Sequence, residues 1–341
     1  MAATDPTSKI SNLHFTDFAD TTERIHAKGM DLLNDQAEVM SLYMVENVPN
    51  GTGSQRIYDE YDSETYASFK GEGVNARKKR VVKGYTKTMY VRRFAAEIDI
   101  TFEARTFGKD QEIIRRLTSL ATFVPQRMVL DLTHRYTFAT ATSYVDQDGE
   151  TVDTSMGDTL AMASAVHTLT ASASTYSTIV TGNPQFSQGA FEIAKDLTNS
   201  QILSNFGERR VLTFDTIVTG NDSATIRQVR QLQNSMADVT GDNSGVVNVY
   251  KGMFRHVILE RLATTATGAY DSTKAKYWFY VASKEVEAHL GIWEAPNLKM
   301  PSTGNNGEDI HNDDWTFGTR GSFGICWVSA KGVLVSTGLG A

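Results

Sequence analysis

The feature that most constrains this chain is a long amphipathic helical pattern that begins at Asp110. Apolar residues recur there three or four positions apart: Ile113, Ile114, Leu117, Leu120, Val124, Met128 and Leu132. The pattern predicts a helix to about Thr142, which at about 1.5 Å per residue is on the order of 50 Å long. Pro125 lies inside it and should kink the helix or break it in two, because proline removes a backbone donor and crowds the preceding turn. An amphipathic rod of this length is a scaffold element.

Residues 55–105, upstream of the helix, have the pattern of extended strands. In RRFAAEIDITFEAR, Ile98, Ile100 and Phe102 alternate with polar residues, and a period of two indicates a half-buried strand. YTKTMYV before it also tends to alternate, and KGEG at 70–73 is typical of a flexible stretch near a tip. We predict a long two-stranded excursion that is too polar to have a core of its own.

Charge is segregated within this excursion. The first limb carries the acids Asp59, Glu60, Asp62 and Glu64. The second limb carries the bases Arg77, Lys78, Lys79, Arg80, Lys83, Lys87, Arg92 and Arg93. In a ring of identical subunits, the basic limb of one subunit can meet the acids of its neighbour, so we predict inter-subunit contacts here. Phosphate binding and a merely solvated face are the alternatives.

The remaining segments divide into an arm and an α/β region. Residues 1–20 are expected to form a polar arm, and apolar spacing predicts a helix from Thr22 to Glu46. Between about 185 and 295, strands and helices alternate, with Ser187 and either Asp222 or Ser223 as helix caps. Strands are predicted in RRVLTFDTIVTG, GVVNVYKGMFRHVILERL and KYWFYVASKE, and a short helix ending near Gly291 in EVEAHLGIWEAPNL.

Composition narrows the class of protein. The chain has 341 residues, enough for two domains, with 40% apolar and 21% charged residues. A formal net charge of −7 argues against a dedicated nucleic-acid binder or a binder of anionic membranes. Cys326 is the single cysteine, which excludes an intrachain disulfide and a zinc site built on cysteines. Since neither a signal peptide nor a membrane-spanning apolar run is present, we expect a protein made in a reducing cytosol and no membrane partner.

Motifs for catalysis or metal binding are weak. GEGVNA at 71–76 lacks the third glycine of a dinucleotide loop, and GDNSG at 241–245 is better explained as a polar turn than as a nucleophile loop. EDIHNDD at 308–314 could hold a hard cation, but its acids lack the spacing of a calcium loop. We predict a non-enzymatic protein without catalytic, cofactor-binding or metal-binding residues; an unrecognised hydrolase is the alternative from another class.

The ending DDWTFGTRGSFGICWVSAKGVLVSTG resembles the carboxyl end of tailed-bacteriophage major capsid proteins, whose fold is the Hong Kong 97-like fold. By this resemblance, Trp315–Val328 is a long strand of a peripheral domain, and Gly332–Thr337 returns to the sheet of an axial domain. The middle of the chain is similar to the family as well, through a Gly-Asp, an Ala/Ser-rich run that ends in His, and a Phe-Ser before a helix. These residues are Gly157, Asp158, His167, Phe186 and Ser187.

The resemblance implies an α+β fold in four parts. They are an N-terminal arm (1–54), an extended hairpin loop (55–105), a peripheral domain with the spine helix (106–150 and 301–330), and an axial domain (151–300 and 331–341). It also implies self-assembly into hexamers and pentamers of an icosahedral head that encloses double-stranded DNA non-specifically. The expected location is the virion, and the host cytoplasm during assembly.

Other partners follow from the same resemblance. Some relatives carry an extra N-terminal scaffolding segment, for which this chain has no room, so either a separate scaffolding protein is expected or the start of the sequence is a processed one. A portal is also expected, with room for a decoration protein. An encapsulin-like nanocompartment shell, which shares the fold, is the nearest alternative. A dedicated DNA-binding protein is a further one, which the salt dependence of DNA affinity would distinguish.

Overall fold

The structure, a computed structural model, describes residues 37–49, 54–101, 103, 110–236, 247–299 and 315–340. The predicted polar arm, the GDNSG turn and the EDIHNDD loop lie outside these residues. The helices are α1 Ala37–Met40, α2 Asp110–Thr137, α3 Gln188–Ser200 and α4 Ser223–Asn234. The strands are β1 Met44–Asn47, β2 Gln55–Ser63, β3 Val81–Tyr90, β4 Arg92–Ile100, β5 Ser143–Val145, β6 Thr151–Asp153, β7 His167–Thr168, β8 Thr175–Tyr176, β9 Thr216–Gly220, β10 Arg255–Leu259, β11 Trp278–Val281, β12 Ala288–Lys299, β13 Trp315–Trp327 and β14 Val333–Ser336. The fold is α+β, as predicted.

The spine helix α2 is one continuous helix of 28 residues. At about 1.5 Å per residue it is about 42 Å long, somewhat shorter than predicted. It passes through Pro125 without interruption, so the predicted break is wrong. Val124 and Met128 on either side of the proline are buried against the sheets, and this packing offsets the hydrogen bond that the proline removes.

Two four-stranded sheets share one core. The first sheet has the order β1-β12-β13-β4, with β12, β13 and β4 antiparallel and β1 parallel to β12. The second has the order β10-β9-β11-β14. A single cluster of buried side chains joins the two, with Tyr136 of the spine helix in edge contact with both Phe279 and Trp327. The peripheral and axial parts are therefore not separate hydrophobic units.

The two carboxyl-terminal strands lie as expected. β13 runs through the first sheet, where Phe317 and Phe323 are buried. The chain then turns, and β14 pairs antiparallel with β11 in the second sheet, from Val281↔Val333 to Trp278↔Ser336. The ending is nearly uncharged because β14 and most of β13 are buried.

The helix predicted in EVEAHLGIWEAPNL does not form. The segment is strand β12, with β1 on one side and β13 on the other. Ala288, Leu290 and Ile292 alternate into the core cluster, a period-two signal that a helical interpretation overlooked. Pro296 lies where the pairing register with β13 shifts, a place where a strand tolerates a missing donor. The boundary predicted at residue 300 would separate β12 from its sheet partner β13, and the division into domains stays a prediction.

The predicted helix Thr22–Glu46 is also wrong at its end. Only Ala37–Met40 is helical among its described residues, and Met44–Asn47 is a strand. Leu42 and Tyr43 are buried between the two elements, and the Tyr43 hydroxyl donates to the Leu132 carbonyl at 2.7 Å. Pairing with β12 decides the conformation of this segment over its local helical spacing.

The caps of α3 and α4 follow local sequence rules. The Ser187 hydroxyl accepts a hydrogen bond from the Ala190 amide, as predicted. Of the two candidates before α4, Asp222 is the cap, and its side chain accepts from the Thr225 amide.

Candidate assembly surface

The predicted two-stranded excursion is a β-hairpin. Strands β2 and β3 pair antiparallel from Gln55↔Tyr90 to Ser63↔Val81, with an irregularity between Asp59 and Tyr61. Residues 64–80, named here the hairpin tip, join the two strands and contain no strand of their own. A two-stranded ribbon has no interior and is marginal in water by itself, so its stability depends on what it contacts.

Large apolar side chains of the hairpin face solvent. Those at least half exposed are Ile57, Tyr61, Tyr66, Phe69, Val74, Val81 and Tyr90. Phe69 at the tip is 96% exposed. Single exposed apolar residues are ordinary on a protein surface, but a concentration of them on one thin element is typical of an interaction site.

The acids of the first limb are already paired inside the chain. Lys83 lies 2.9 Å from Asp59, and Lys79 lies 3.3 Å from Glu64, with Arg80 at 3.9 Å from the same carboxylate. Within the chain the segregated charges join the two limbs of one hairpin, and their predicted contact with a neighbouring subunit stays a prediction. The reason for the pairing within the chain is geometric, since antiparallel pairing places the acidic strand directly beside the basic one.

Glu60 and Asp62 face the molecule's own interior. Glu60 is 2% exposed and its carboxylate lies 2.5 Å from the Lys331 Nζ. Asp62 accepts a hydrogen bond from the Asn205 amide at 2.8 Å. Glu60 is therefore paired within its own chain, and its predicted contact with a neighbouring subunit stays a prediction.

The other predicted bases have different surroundings. Arg77 and Lys78 are exposed at the tip, and among the described residues no acid forms an ion pair with either. Arg92 donates to the Thr151 carbonyl at 3.3 Å, and the Arg93 guanidinium lies 6.0 Å from the centre of the Trp293 ring. Arg77 and Lys78 are the best remaining candidates for charged contact with another subunit, which stays a prediction.

The base of the hairpin is fixed to the body by polar contacts. Lys87 bridges to Asp153 at 2.6 Å, and the Tyr85 and Thr168 hydroxyls lie 2.6 Å apart. Gly84 allows the closest approach, because a Cβ there would lie 2.5 Å from Glu60 Oε2. The hairpin is thus anchored at its base and exposed at its tip.

The structure brings together two residues of the middle segment. His167 Nδ1 lies 2.7 Å from Asp158 Oδ2, and Nε2 lies 3.2 Å from the Thr178 hydroxyl. A base, an orienting acid and a hydroxyl are the parts of a hydrolase triad. Here His167 and Thr178 are fully buried, and the hydroxyl donates to the Met162 carbonyl at 2.6 Å. Substrate has no access to this arrangement, which holds the segments between α2 and α3 together.

A polar cavity of about 240 Å³ lies between the hairpin base, the spine helix and β13. Arg127 lines the cavity, and its guanidinium donates hydrogen bonds to Asp131, Asp146 and Asp148. Burial raises the pKa of Asp131 to about 6, even though the positive charge of Arg127 acts in the opposite direction. These charges pair with one another, which is typical of a structural network.

No group of three or more His, Cys, Asp or Glu side chains in the described ranges could hold a metal ion. Within those ranges, every helix is too short or too polar to cross a membrane.

No protein-family model matches the sequence, and no curated protein matches it. Among solved structures, the fold is similar to the capsid of the cyanophage P-SCSP1u, with a TM-score of 0.49 and 8% identity over 86% of each chain. It is also similar to the capsid of the Myoviridae phage XM1, with a TM-score of 0.46 and 10% identity over 89% of this chain and 92% of that one. A structure from Gordonia phage Cozz matches with a TM-score of 0.48 and 12% identity over 88% of this chain and 86% of that one.

Two of these three are phage capsids.

Sequence reasoning missed Lys331 and Asn205, which meet Glu60 under the hairpin. No local motif marks Asn205. Lys331 did carry a signal, because it is the only charged residue after Arg320 in an otherwise apolar ending. A lone lysine in a buried stretch needs a partner, and the structure supplies two hydrogen-bond acceptors, with the Asp62 carboxylate 3.9 Å away as well.

Proposed function

We propose that this chain is the major capsid protein of a tailed bacteriophage, which assembles into hexamers and pentamers of an icosahedral head around double-stranded DNA. The observation that carries the proposal is the hairpin with its tip: it is anchored at the base, it has no core, and it exposes Phe69 and other apolar side chains to water. In an assembled shell a neighbouring subunit would cover these side chains.

The order of elements supports the same function. The hairpin precedes a 28-residue spine helix, the α/β region follows, and the last strand returns to the second sheet. This order is the one that the resemblance of the sequence to capsid proteins implies. A separate scaffolding protein and a portal belong to the proposal, with room for a decoration protein. So do non-specific contact with packaged DNA, a place in the virion, and assembly in the host cytoplasm.

Electron microscopy and light scattering of the purified protein test the proposal. Closed shells or capsomers are expected at high protein concentration, with the chain alone or co-expressed with a scaffolding protein. A chain that stays monomeric across salt, pH and scaffolding conditions contradicts it. Esterase and phosphatase assays on the same sample test the hydrolase alternative, and shells that load a cellular enzyme as cargo would favour a nanocompartment.

A further inference from the structure

Three buried polar side chains from distant parts of the sequence meet under the hairpin base. Lys331 Nζ lies 2.5 Å from Glu60 Oε1 and 3.2 Å from Asn205 Oδ1. Lys331 is 4% exposed, Glu60 2%, and Asn205 fully buried. An amine, an amide and a carboxylate in contact inside a protein are the reactants and the acid–base group of an amide exchange.

We propose that Lys331 and Asn205 form an isopeptide bond within the chain, with Glu60 as the catalytic residue that moves the protons. The bond would join Lys331 Nζ to Asn205 Cγ and release the side-chain nitrogen of Asn205 as ammonia. The proposal concerns the single folded chain, and it does not rest on the function proposed above.

The positions of the reacting atoms support this reaction. Lys331 Nζ already contacts Oδ1, which is bonded to the carbon under attack. Asn205 Nδ2, the leaving group, is buried and has no hydrogen-bond partner among the described residues. An amide nitrogen without a partner is costly inside a protein, and its departure removes that cost.

Glu60 contacts the nucleophile and lies on the same side of the cluster as the leaving group. Its Oε1 contacts Lys331 Nζ. Its Oε2 and Asn205 Nδ2 both lie beside Gly84, at 2.5 Å and 2.8 Å from the point where a Cβ of that glycine would be. A carboxyl group in this position can take a proton from the amine and carry it toward the amide nitrogen.

The steps balance without any co-reactant. A buried ammonium–carboxylate pair pays a desolvation penalty, so transfer of one proton from Lys331 to Glu60 gives a neutral amine and a neutral acid. The Nζ lone pair then attacks Cγ, and the carbonyl pair moves onto Oδ1. Glu60 protonates Nδ2 and takes a second proton from Nζ. When the carbonyl re-forms, the Cγ–Nδ2 bond breaks, ammonia leaves, and Glu60 ends protonated.

The three residues are far apart in the sequence, and this separation requires that folding precede bond formation. Glu60 lies 271 positions from Lys331, and Asn205 lies 126 positions from it. Only the folded chain brings them together, so the bond forms after folding. Asp62 accepts a hydrogen bond from the backbone amide of Asn205 at 2.8 Å and is therefore a positioning residue for the electrophile.

Intact-mass spectrometry of the purified chain tests the proposal. The wild type is expected about 17 Da below its sequence mass, the loss of one ammonia. A tryptic digest should contain a branched peptide that joins the segments around Asn205 and Lys331. Lys331→Arg keeps the positive charge, and Glu60→Gln keeps the side-chain shape; neither is expected to show the loss.

A matched control is Lys83→Arg, which removes another hairpin amine and should retain the mass loss. A wild-type chain at its full sequence mass, both as free protein and after assembly, overturns the proposal. So does a mass loss that persists in Lys331→Arg. Because the wild-type measurement needs no variant, misfolding of a mutant cannot hide the outcome.

Discussion

At the scale of single residues, Glu287 lies in surroundings that disfavour its charged form. Burial raises its pKa from 4.5 to about 7. Its Oε2 is buried without a hydrogen-bond partner among the described residues. The folded chain therefore holds a proton on Glu287 at pH values where the unfolded chain has lost it.

The sign of the pH dependence follows from this difference. Between pH 4.5 and about 7 the folded state binds more protons at Glu287 than the unfolded state, so this residue destabilises the fold increasingly as pH rises. Glu287→Gln removes the effect. The variant is expected to be more stable than wild type at pH 8 by up to about 3 kcal/mol, at about 1.4 kcal/mol per pKa unit, and similar to wild type near pH 4.5.

Urea unfolding at both pH values measures this change. Glu260→Gln is a suitable control because Glu260 is exposed. A gain for Glu287→Gln that is the same at both pH values would show that protonation is not its cause.

At the scale of elements, Pro125 shows that packing of the spine helix prevails over the low helix propensity of a single residue. Proline costs about 3 kcal/mol in a helix interior. Its presence in a continuous helix predicts that Pro125→Ala restores a hydrogen bond to the Ala121 carbonyl and raises the free energy of unfolding by about 1–3 kcal/mol. Chemical denaturation of the unassembled chain measures this effect.

The same variant tests whether the proline acts in a shell. If the proline bends the helix in a way that the proposed shell needs, Pro125→Ala should lower the yield of closed shells or change their diameter. Electron microscopy of wild-type and variant shells compares both quantities. Equal yield and equal diameter would reduce Pro125 to a tolerated local feature.

The hairpin tip is the second element with a testable role. Arg77→Glu/Lys78→Glu should lower assembly yield while the chain stays folded, because the tip bases have no ion-pair partner in the described part of their own chain. Arg227→Glu/Arg230→Glu on α4 changes the net charge by the same amount and serves as the control. Sedimentation of assembled and free protein gives the yield. If assembly survives and only retained DNA falls, the tip faces the genome.

At the scale of the whole molecule, assembly should depend on the exposed apolar residues of the tip. Tyr66→Ser/Phe69→Ser removes two rings that the single chain leaves in solvent. The free energy of unfolding of the monomer should change by less than about 0.5 kcal/mol, as for other surface changes. Assembly should need a several-fold higher protein concentration, since each exposed ring adds apolar area to an interface.

Light scattering against protein concentration measures that shift. Val145→Ser, at an exposed position of the β5–β6 hairpin, is the matched control. An unchanged assembly threshold in the tip variant would remove the main support for the proposed function.

The sequence alone determined the elements whose signal is local. The spine helix and β4 follow from periods of 3.6 and 2 that a single face of burial imposes. The two terminal strands were expected from the resemblance to capsid proteins, since β14 is buried at every position and shows no period of two. The caps at Ser187 and Asp222 follow from side chains that bond to nearby amides. The hairpin was predictable too, because its two limbs are adjacent in the chain.

The tertiary structure decided everything that depends on a distant partner. Met44–Asn47 is a strand because it pairs with β12, which overrides the helical spacing of its segment. Ala288–Lys299 is a strand between β1 and β13, and only that pairing decided between its period of two and a helical interpretation. Asp59 and Glu64 of the hairpin form ion pairs with bases of their own chain. The segregation of charge in the sequence was equally compatible with ion pairs to the bases of a neighbouring subunit. Lys331, Glu60 and Asn205 meet only in the folded chain. No local pattern can encode such a contact, because its energy exists only once the fold has brought the residues together and excluded water.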